Sequence, residues 1–340
     1  MLASLYAAAA TARRSHYLGP GRQRRLERPV VSVGNLRVGG TGKTPAVAHV
    51  ARILLEMGER PAILSRGYAR QSARDGVVVV SDGRRIGADL PRSGDEPLML
   101  ARAVEGARVL VSADRYLAGR LAETHLDATV HLLDDGFQHL ALARGTDLLI
   151  VSADDLADAK TLPAGRLREP LASASAAHAV LVPSATDEQA RTVAASLGVE
   201  TAFRLVRRPG EPRRLDVIGA SAPARTSVPV LAAAGIARPE RFFEDLRAGG
   251  WDVKREVPFP DHHRYSRADA TALAEAARSA GALAIVTTEK DLVRLLPFRP
   301  LLLPVIWVPL MVELEPAARF RTWLAGRLAA ERARDREVPA

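Results

Sequence analysis

The sequence predicts an α/β protein with a P-loop-type, mostly parallel sheet flanked by helices, followed by a second, smaller α/β domain. Short apolar, β-branched runs alternate with helical apolar spacing along the chain, which is typical of parallel strands joined by helices. A chain of 340 residues also exceeds what one core usually holds, about 250–300 residues. We therefore predict an N-terminal helical segment at 1–25, a P-loop domain at 26–205 and a C-terminal domain at 206–340.

The composition is that of an ordinary globular protein, with 47% hydrophobic residues. No run of about 18 apolar residues occurs, so we do not expect a membrane-spanning helix. The absence of cysteine excludes disulfides, zinc thiolates and a cysteine nucleophile. A formal charge of +9 favours acidic partners such as nucleic acid, anionic lipid or a phosphorylated substrate. An aromatic content of only 4% gives little support to base stacking.

Residues 1–17 form an apolar, Ala-rich helical pattern that becomes basic at Arg13 and Arg14. In a secretory signal the positive charge precedes the apolar part, and here the order is reversed. The pattern fits an interfacial helix on an anionic membrane face, with Leu2, Leu5 and Tyr6 buried in the lipid. A helix that packs on the protein itself is the alternative.

The stretch at 30–45, VVSVGNLRVGGTGKTP, predicts a strand, a phosphate-binding loop and the start of a helix. Glycines let the backbone curl around an anion, and the free N–H groups of the helix start bind phosphate. Lys43 would reach the β- and γ-phosphates of a nucleotide and the Thr44 hydroxyl would bind Mg²⁺. The strict spacing would require glycine at Arg37, and a flexible turn with a solvated lysine is the alternative. The predicted nucleotide-binding residues are Gly39, Gly40, Thr41, Gly42, Lys43 and Thr44.

Polar residues border two segments between this loop and residue 100. The strand pattern at 61–65 leads into Arg66 and Tyr68, and ligands of open parallel sheets gather beyond the carboxyl ends of strands. Asp95 and Glu96 begin a helical pattern. They suit either a helix cap or, for Asp95, a general base near the γ-phosphate and an acceptor hydroxyl.

The hydrophobic strand pattern at 128–133 ends in Asp134 and Asp135, the form of a Walker B element that holds Mg²⁺. Adjacent acids alternate faces, so only one of them is expected to contact the metal sphere. The Pro- and Gly-containing segment at 162–170 then carries Arg168 and Glu169, and its arginines suit either phosphate binding or a solvated helix start.

An Arg-, Pro- and Gly-rich segment at 204–225 marks the predicted domain junction. Beyond it, a strand pattern ends at Asp261, His262 and His263. No further Cys or His cluster supports a metal site. The functional hypothesis is a histidine that assists Asp95, because an aspartate with a pKa of about 4 is a weak base at neutral pH. A capping aspartate with exposed imidazoles is the alternative.

Together these stretches resemble the tetraacyldisaccharide 4′-kinase family. The matching pieces are VGNLRVGGTGKTP, LSRGYAR, GDEP, DDGFQH, LPAGRLREP, AGIARPERFF, FPDHHRY and TEKD, across nearly the whole chain. The resemblance implies two α/β/α domains and an enzyme that uses ATP and Mg²⁺. Its reaction would phosphorylate the 4′-hydroxyl of a tetraacylated glucosamine disaccharide 1-phosphate, a lipid A precursor, to form lipid IVA. The implied partners are this acylated lipid and an anionic membrane surface, with no nucleic acid, and the implied location is peripheral, at the cytoplasmic face of the bacterial inner membrane.

The resemblance also implies roles for individual residues. Asp95 matches the catalytic base and one of His262 and His263 matches its partner. The implied metal ligands are Thr44, Asp134 and Asp135, and the implied substrate contacts are Arg66, Glu96, Arg168 and Glu169. The chain departs from the commoner pattern at Ala69 and Arg166, where glycine and proline are usual, and in a less hydrophobic N-terminal helix.

Two other functions share some of these features. Membrane-surface ATPases of the partitioning type have a similar loop but carry lysine directly before the paired glycines, where this chain has Val38. They also lack a reason for an Asp–His pair that serves an acceptor hydroxyl. Nucleic-acid binding has only the positive charge in its favour.

Overall fold

The computed structural model describes residues 1–39, 42–67, 70, 76–215, 221–223 and 226–337. It divides into two units. The first unit contains residues 1–207 and 312–340, and the second contains 208–311.

The strands form two sheets, one in each unit. The strands are β1 (Val30–Asn35), β2 (Pro61–Ser65), β3 (Val78–Asp82), β4 (Arg108–Val111), β5 (Val130–Asp134), β6 (Thr146–Ile150), β7 (Ala179–Pro183), β8 (Ala202–Pro209), β9 (Arg213–Leu215), β10 (Ser221–Pro223), β11 (Val230–Ala234), β12 (Val253–Pro258), β13 (Ala284–Thr288), β14 (Val305–Val308) and β15 (Leu310–Glu315).

Helices precede or follow most strands. They are α1 (Leu2–Leu18), α2 (Lys43–Glu56), α3 (Leu90–Ser93), α4 (Asp95–Ala103), α5 (Arg115–His125), α6 (Ala153–Ala157), α7 (Asp187–Ser196), α8 (Pro239–Ala248), α9 (Arg267–Ser279), α10 (Glu289–Leu295) and α11 (Ala317–Glu337), with 3-10 helices at Leu171–Ala176 and Leu296–Phe298.

The first unit has a nine-stranded sheet in the order β15-β8-β7-β6-β1-β5-β2-β4-β3. β1 lies between β5 and β6 and is parallel to both, whereas β3 is antiparallel to β4. Every residue of β1 and of β5 is buried, as expected for strands covered by helices on both faces. Because β2 is parallel to both β5 and β4, the carboxyl ends of β1, β2, β4 and β5 lie at the same edge of the sheet.

The second unit has a six-stranded sheet in the order β10-β9-β14-β13-β11-β12. Strands β12, β11, β13 and β14 are parallel, and β9 is antiparallel to β14. Phe243, Leu246, Trp251 and Val286 form part of its core. The predicted fold class, a large mostly parallel sheet with helices and a second smaller α/β unit, is confirmed.

The end of the chain differs from the predicted division. Residues 312–340, assigned by the sequence analysis to the C-terminal domain at 206–340, belong to the first unit. The ring of Phe320 packs edge to face on Phe203 at 5.0 Å between centroids, and Leu324 and Leu328 are buried. An amphipathic pattern shows that a helix has an apolar face but does not show which sheet that face covers.

Helix α1 ends at Leu18, earlier than the predicted limit at residue 25, and is attached to the first unit through its basic half. Arg14 is buried, donates to Glu169 at 2.6 Å and lies over the ring of Phe137 at 4.5 Å. Leu2 and Leu5 on the same helix are 67% and 63% exposed. Within the described part of the chain, no helix combines the length and hydropathy needed to cross a bilayer.

Candidate functional site

The predicted phosphate loop connects β1 to α2, as the sequence pattern indicates. Gly39 and Gly42 have φ values of +103° and +88°. These lie in the region where a side chain is strained, so the loop requires glycine at both positions. Gly40 and Thr41 lie outside the described residues. Gly42 caps α2, so the free N–H groups of the first helical turn are at the end of the loop, where an anion binds.

Lys43 begins α2, and its side chain reaches the carboxyl end of β1. Its Nζ donates a hydrogen bond to Oδ1 of Asn35 at 3.1 Å and lies 3.8 Å from Oδ1 of Asp135. Thr44, the predicted metal ligand, is buried in the first turn of α2. These contacts hold the lysine beside the acidic end of β5.

Arg37 occupies the position where the strict loop spacing has glycine. Its Nη1 lies 2.9 Å from Oδ1 of Asp155, in α6. The loop therefore accommodates an arginine at this position, because its side chain pairs with Asp155.

Asp134 ends β5 and is 3% exposed. The hydroxyl of Ser65, at the end of β2, donates to its Oδ2 at 3.2 Å. Burial, together with the negative charges of Glu96 and Asp135, raises the pKa of Asp134 to about 7. A buried carboxylate whose ionised form is this unfavourable would be stabilised by a bound cation.

The neighbouring Asp135 has the opposite electrostatic environment. Both Nη atoms of Arg168 bind its carboxylate at 2.8 Å. Burial opposes ionisation, but the hydrogen bonds from Arg168 and the charges of Lys43, Arg168 and Arg115 lower the pKa of Asp135 overall. Asp135 has a φ of +52°, which turns the backbone between the two acids.

The residues at this edge of the sheet fit a Mg²⁺ ion that is only partly coordinated by protein side chains better than a metal ion whose ligands all come from the protein. Among the described residues, no group of three or more His, Cys, Asp or Glu side chains could hold a metal ion. Mg²⁺ usually takes one or two carboxylates and completes its shell with water and substrate phosphates. Thr44, Asp134 and Asp135, all at this edge of the sheet, provide that kind of incomplete donor set.

Asp95 and Glu96 begin α4. Asp95 is 8% exposed, and its Oδ1 accepts a hydrogen bond from the backbone N–H of Glu96 at 2.9 Å. Since the charge of Glu96 raises the pKa of Asp134, the start of α4 lies near the end of β5. A Cβ placed on Gly67 would lie 3.1 Å from the carbonyl oxygen of Ser93, so the segment after β2 also contacts this turn.

Arg115 and His139 also lie at this site, although no sequence pattern indicated them. Arg115 follows β4 and is 3% exposed. Burial and the charge of Arg66 lower the pKa of Arg115 to about 10. Its Nη1 lies 3.4 Å from Nδ1 of His139, and burial with the charges of Arg115 and Arg144 lowers the pKa of His139 to about 3. The available signal was the position of Arg115 at the start of α5, shortly after the end of β4.

Arg66, Arg168 and Glu169 are the remaining predicted substrate residues of this unit. Arg66 follows β2, and its charge acts on Arg115, which places it at the same edge. Arg168 also donates to the backbone oxygen of Asn35 at 2.9 Å. Glu169 is 3% exposed and binds Arg14, so its described contact anchors α1. Tyr68 and Ala69 lie outside the described residues.

In the second unit the two adjacent histidines have different surroundings. His263 stacks on Phe259 at 4.5 Å between ring centroids, and its Nε2 lies 3.3 Å from Oδ2 of Asp269. His262 has a φ of +60°, and its two ring nitrogens each lie 3.3 Å from a cation, Lys290 and Arg294. His263 thus packs into an aromatic cluster, whereas His262 is held in a strained turn among charged groups.

Asp291 follows β13 in the first turn of α10 and is fully buried. It accepts hydrogen bonds from the backbone N–H of Gly235 at 3.0 Å and from the hydroxyl of Thr288 at 2.7 Å. Its Oδ1 lies 3.2 Å from Nη1 of Arg294. Asp291 therefore fixes the arginine that contacts His262.

Comparisons with known proteins agree on one family. The family model for tetraacyldisaccharide-1-P 4′-kinase, LpxK, matches residues 1–329. A tetraacyldisaccharide 4′-kinase of Geobacter sulfurreducens is 41% identical over 301 residues, covering 86% of this chain and 82% of the relative. A protein of the same name from Koribacter versatilis is 41% identical over 302 residues, covering 87% and 88%.

A solved structure agrees with the sequence comparisons. The crystal structure of LpxK from Aquifex aeolicus in complex with ATP superimposes with a TM-score of 0.76 at 31% identity, covering 96% of this chain and all of that one. The whole-length match, the identity of the relatives and the shared fold lead to the same result: this chain belongs to the tetraacyldisaccharide 4′-kinase (LpxK) family.

Proposed function

We propose that this protein is an ATP-dependent kinase that phosphorylates the 4′-hydroxyl of a tetraacylated glucosamine disaccharide 1-phosphate, a lipid A precursor, to form lipid IVA. Membership of the family carries this proposal. The described chemistry supports it: a loop lysine at the start of α2 lies beside the paired acids at the end of β5.

Phosphoryl transfer asks the protein mainly to position the reactants and to neutralise charge. The loop N–H groups and Lys43 bind the β- and γ-phosphates of ATP. Thr44, with Asp134 or Asp135, would hold Mg²⁺, and the bound ion would neutralise charge on the phosphate oxygens. Arg115 and Arg66 add positive charge at the same sheet edge.

We assign Asp95 as the general base that removes the proton from the 4′-hydroxyl. Its buried carboxylate is fixed at the start of α4 and lies in the first turn beside Glu96. Because an aspartate is a weak base at neutral pH, a histidine that accepts or relays the proton would increase the rate. His262 suits this role better than His263, whose ring is packed between aromatic side chains and bound to Asp269.

We also propose that the enzyme acts as a peripheral protein at the cytoplasmic face of the inner membrane. The acyl chains of the substrate lie in a bilayer, and α1 presents Leu2, Leu5 and Leu18 to the surface. Basic residues of the same segment, including Arg13, suit anionic head groups. Phosphate-bearing substrates and lipid account for the positive charge without a nucleic-acid partner.

The test of the function combines purified protein, Mg-ATP and the disaccharide 1-phosphate lipid in mixed micelles. We expect a product heavier by one phosphate, and a new phosphomonoester in its phosphorus NMR spectrum. The Lys43→Ala variant serves as the control for contaminating kinases. ATP hydrolysis that proceeds equally with and without lipid, and yields no phosphorylated lipid, would instead indicate a switch ATPase.

A further inference from the structure

The backbone of the segment around Arg166 runs beside the first half of the phosphate loop. The N–H of Val38 donates to the carbonyl oxygen of Arg166 at 2.8 Å, and Arg37 forms an antiparallel bridge with Leu167. The N–H of Arg168 donates to the carbonyl oxygen of Leu36 at 2.6 Å. These bonds fix the backbone of Arg166 against the loop, so the position of its side chain does not depend on a flexible connection.

The guanidinium of Arg166 lies over the glycine that opens the loop. A Cβ placed on Gly39 would lie 3.0 Å from Nη2 of Arg166. At the other end of the loop, a Cβ on Gly42 would lie 3.0 Å from Nη2 of Arg207. Two guanidinium groups therefore flank the described glycines of the loop, where the phosphates of a nucleotide bind.

Arg166 differs from the other arginines of this segment in its partners. Arg37 pairs with Asp155, and Arg168 pairs with Asp135. The side chain of Arg166 is exposed and makes no hydrogen bond or ion pair with any residue that the structure describes. An arginine held by its backbone at a phosphate-binding loop, with its own charge uncompensated, is suited to an anionic ligand.

We propose that Arg166 is a further phosphate ligand of the nucleotide site and that it sets the affinity for ATP. This inference rests on the proposed function only in that the loop binds ATP. A guanidinium presents five N–H donors in a rigid fork that matches phosphate oxygens. Gly39 contributes by leaving room for the guanidinium, since a side chain at that position would displace it.

The test measures nucleotide binding directly, in the absence of lipid. Isothermal titration of Mg-ATP compares the wild-type protein with Arg166→Gln and Arg166→Lys. We expect Arg166→Gln to weaken the Kd about tenfold, the scale of one lost charge-assisted hydrogen bond at an accessible site. Arg166→Lys keeps the charge and should recover part of the loss. The matched control is Arg191→Gln, which removes an exposed arginine from α7 and should leave the Kd unchanged.

Kinetics give an independent readout of the same contact. In Arg166→Gln the KM for ATP should rise about tenfold, with kcat at saturating ATP and the KM for lipid within twofold of wild type. The melting temperature without nucleotide should match that of wild type, which excludes a folding defect. A Kd for ATP within twofold of wild type, or tighter binding by the Gln variant, would overturn the proposal. If the wild-type protein does not phosphorylate the lipid, the proposed function is refuted. The proposal for Arg166 is not affected by that result, because the ATP titration does not use lipid.

Discussion

Neutralising Asp134 should stabilise the protein without Mg²⁺, whereas neutralising Asp135 beside it should destabilise the protein. The pKa of Asp134 rises from 3.8 to about 7 because its carboxyl is buried next to Glu96 and Asp135. Between these values the folded protein holds a proton that the unfolded chain releases, so the free energy of unfolding falls as the pH rises. The full difference corresponds to about 4 kcal/mol at pH 8, and to about half of that at pH 5.5.

An asparagine at position 134 cannot ionise and avoids this cost. We therefore expect Asp134→Asn to be more stable than wild type by up to about 4 kcal/mol at pH 8, with a smaller advantage at pH 5.5. Asp135→Asn should have the opposite effect, because the Arg168 guanidinium stabilises the ionised carboxylate of Asp135 in the folded state. The Asp135 carboxylate contributes this stability above its unfolded pKa of 3.8 and loses it only on acidification below that value, so the destabilisation should be about the same at pH 5.5 and pH 8.

Urea denaturation in EDTA at pH 5.5 and pH 8 measures both effects. Mg-ATP should reverse the order of wild type and Asp134→Asn, since a bound cation stabilises the wild-type carboxylate and the variant has lost a ligand. If Asp134→Asn is less stable than wild type at pH 8, or if the difference does not depend on pH, the electrostatic account of the paired acids is wrong.

Three further predictions concern catalysis and membrane contact. Lys43→Ala and Asp95→Ala should each lower kcat/KM at least about a hundredfold, which is the scale of lost charge stabilisation or lost base catalysis. Near-normal phosphate transfer by the Asp95 variant would remove that residue from the mechanism. His262→Asn should lower kcat with little change in melting temperature, whereas His263→Asn should lower the melting temperature because it disrupts the aromatic cluster; the reverse pattern would exchange their roles. Leu5→Glu should weaken sedimentation with phosphatidylglycerol vesicles but leave the melting temperature unchanged, and equal sedimentation would exclude that part of α1 from the contact.

The sequence predicted the fold class and the family because both depend on local patterns. Fully buried parallel strands appear as apolar, β-branched runs, and the phosphate loop needs glycine at the positions with positive φ, here Gly39 and Gly42. The paired acids at the end of β5 were predicted for the same reason, since a polar residue after a buried strand reaches the ligand edge of the sheet. Arg115 also follows a strand, but a single arginine at a helix start has no distinctive pattern.

The position of the last helix could not be predicted in this way. The sequence shows that α11 has apolar residues for one face, but the sheet of either unit could be covered by such a helix. The packing of Phe320 on Phe203 decides the matter, and the entire second unit lies between these two residues in the sequence. Pairings of this kind follow from the complete fold, because no local propensity distinguishes one sheet from another.

The arginines near the phosphate loop show why residue type alone does not identify a ligand. Arg37 lies inside the loop motif, yet its charge is compensated by Asp155 in a helix that the sequence does not connect to the motif. Arg168 binds Asp135 and so orients an acid of the proposed metal site. Arg166 lacks such a described partner and lies over Gly39. The three side chains have equal charge. The presence or absence of an acidic partner therefore distinguishes a structural arginine from one that can bind ATP.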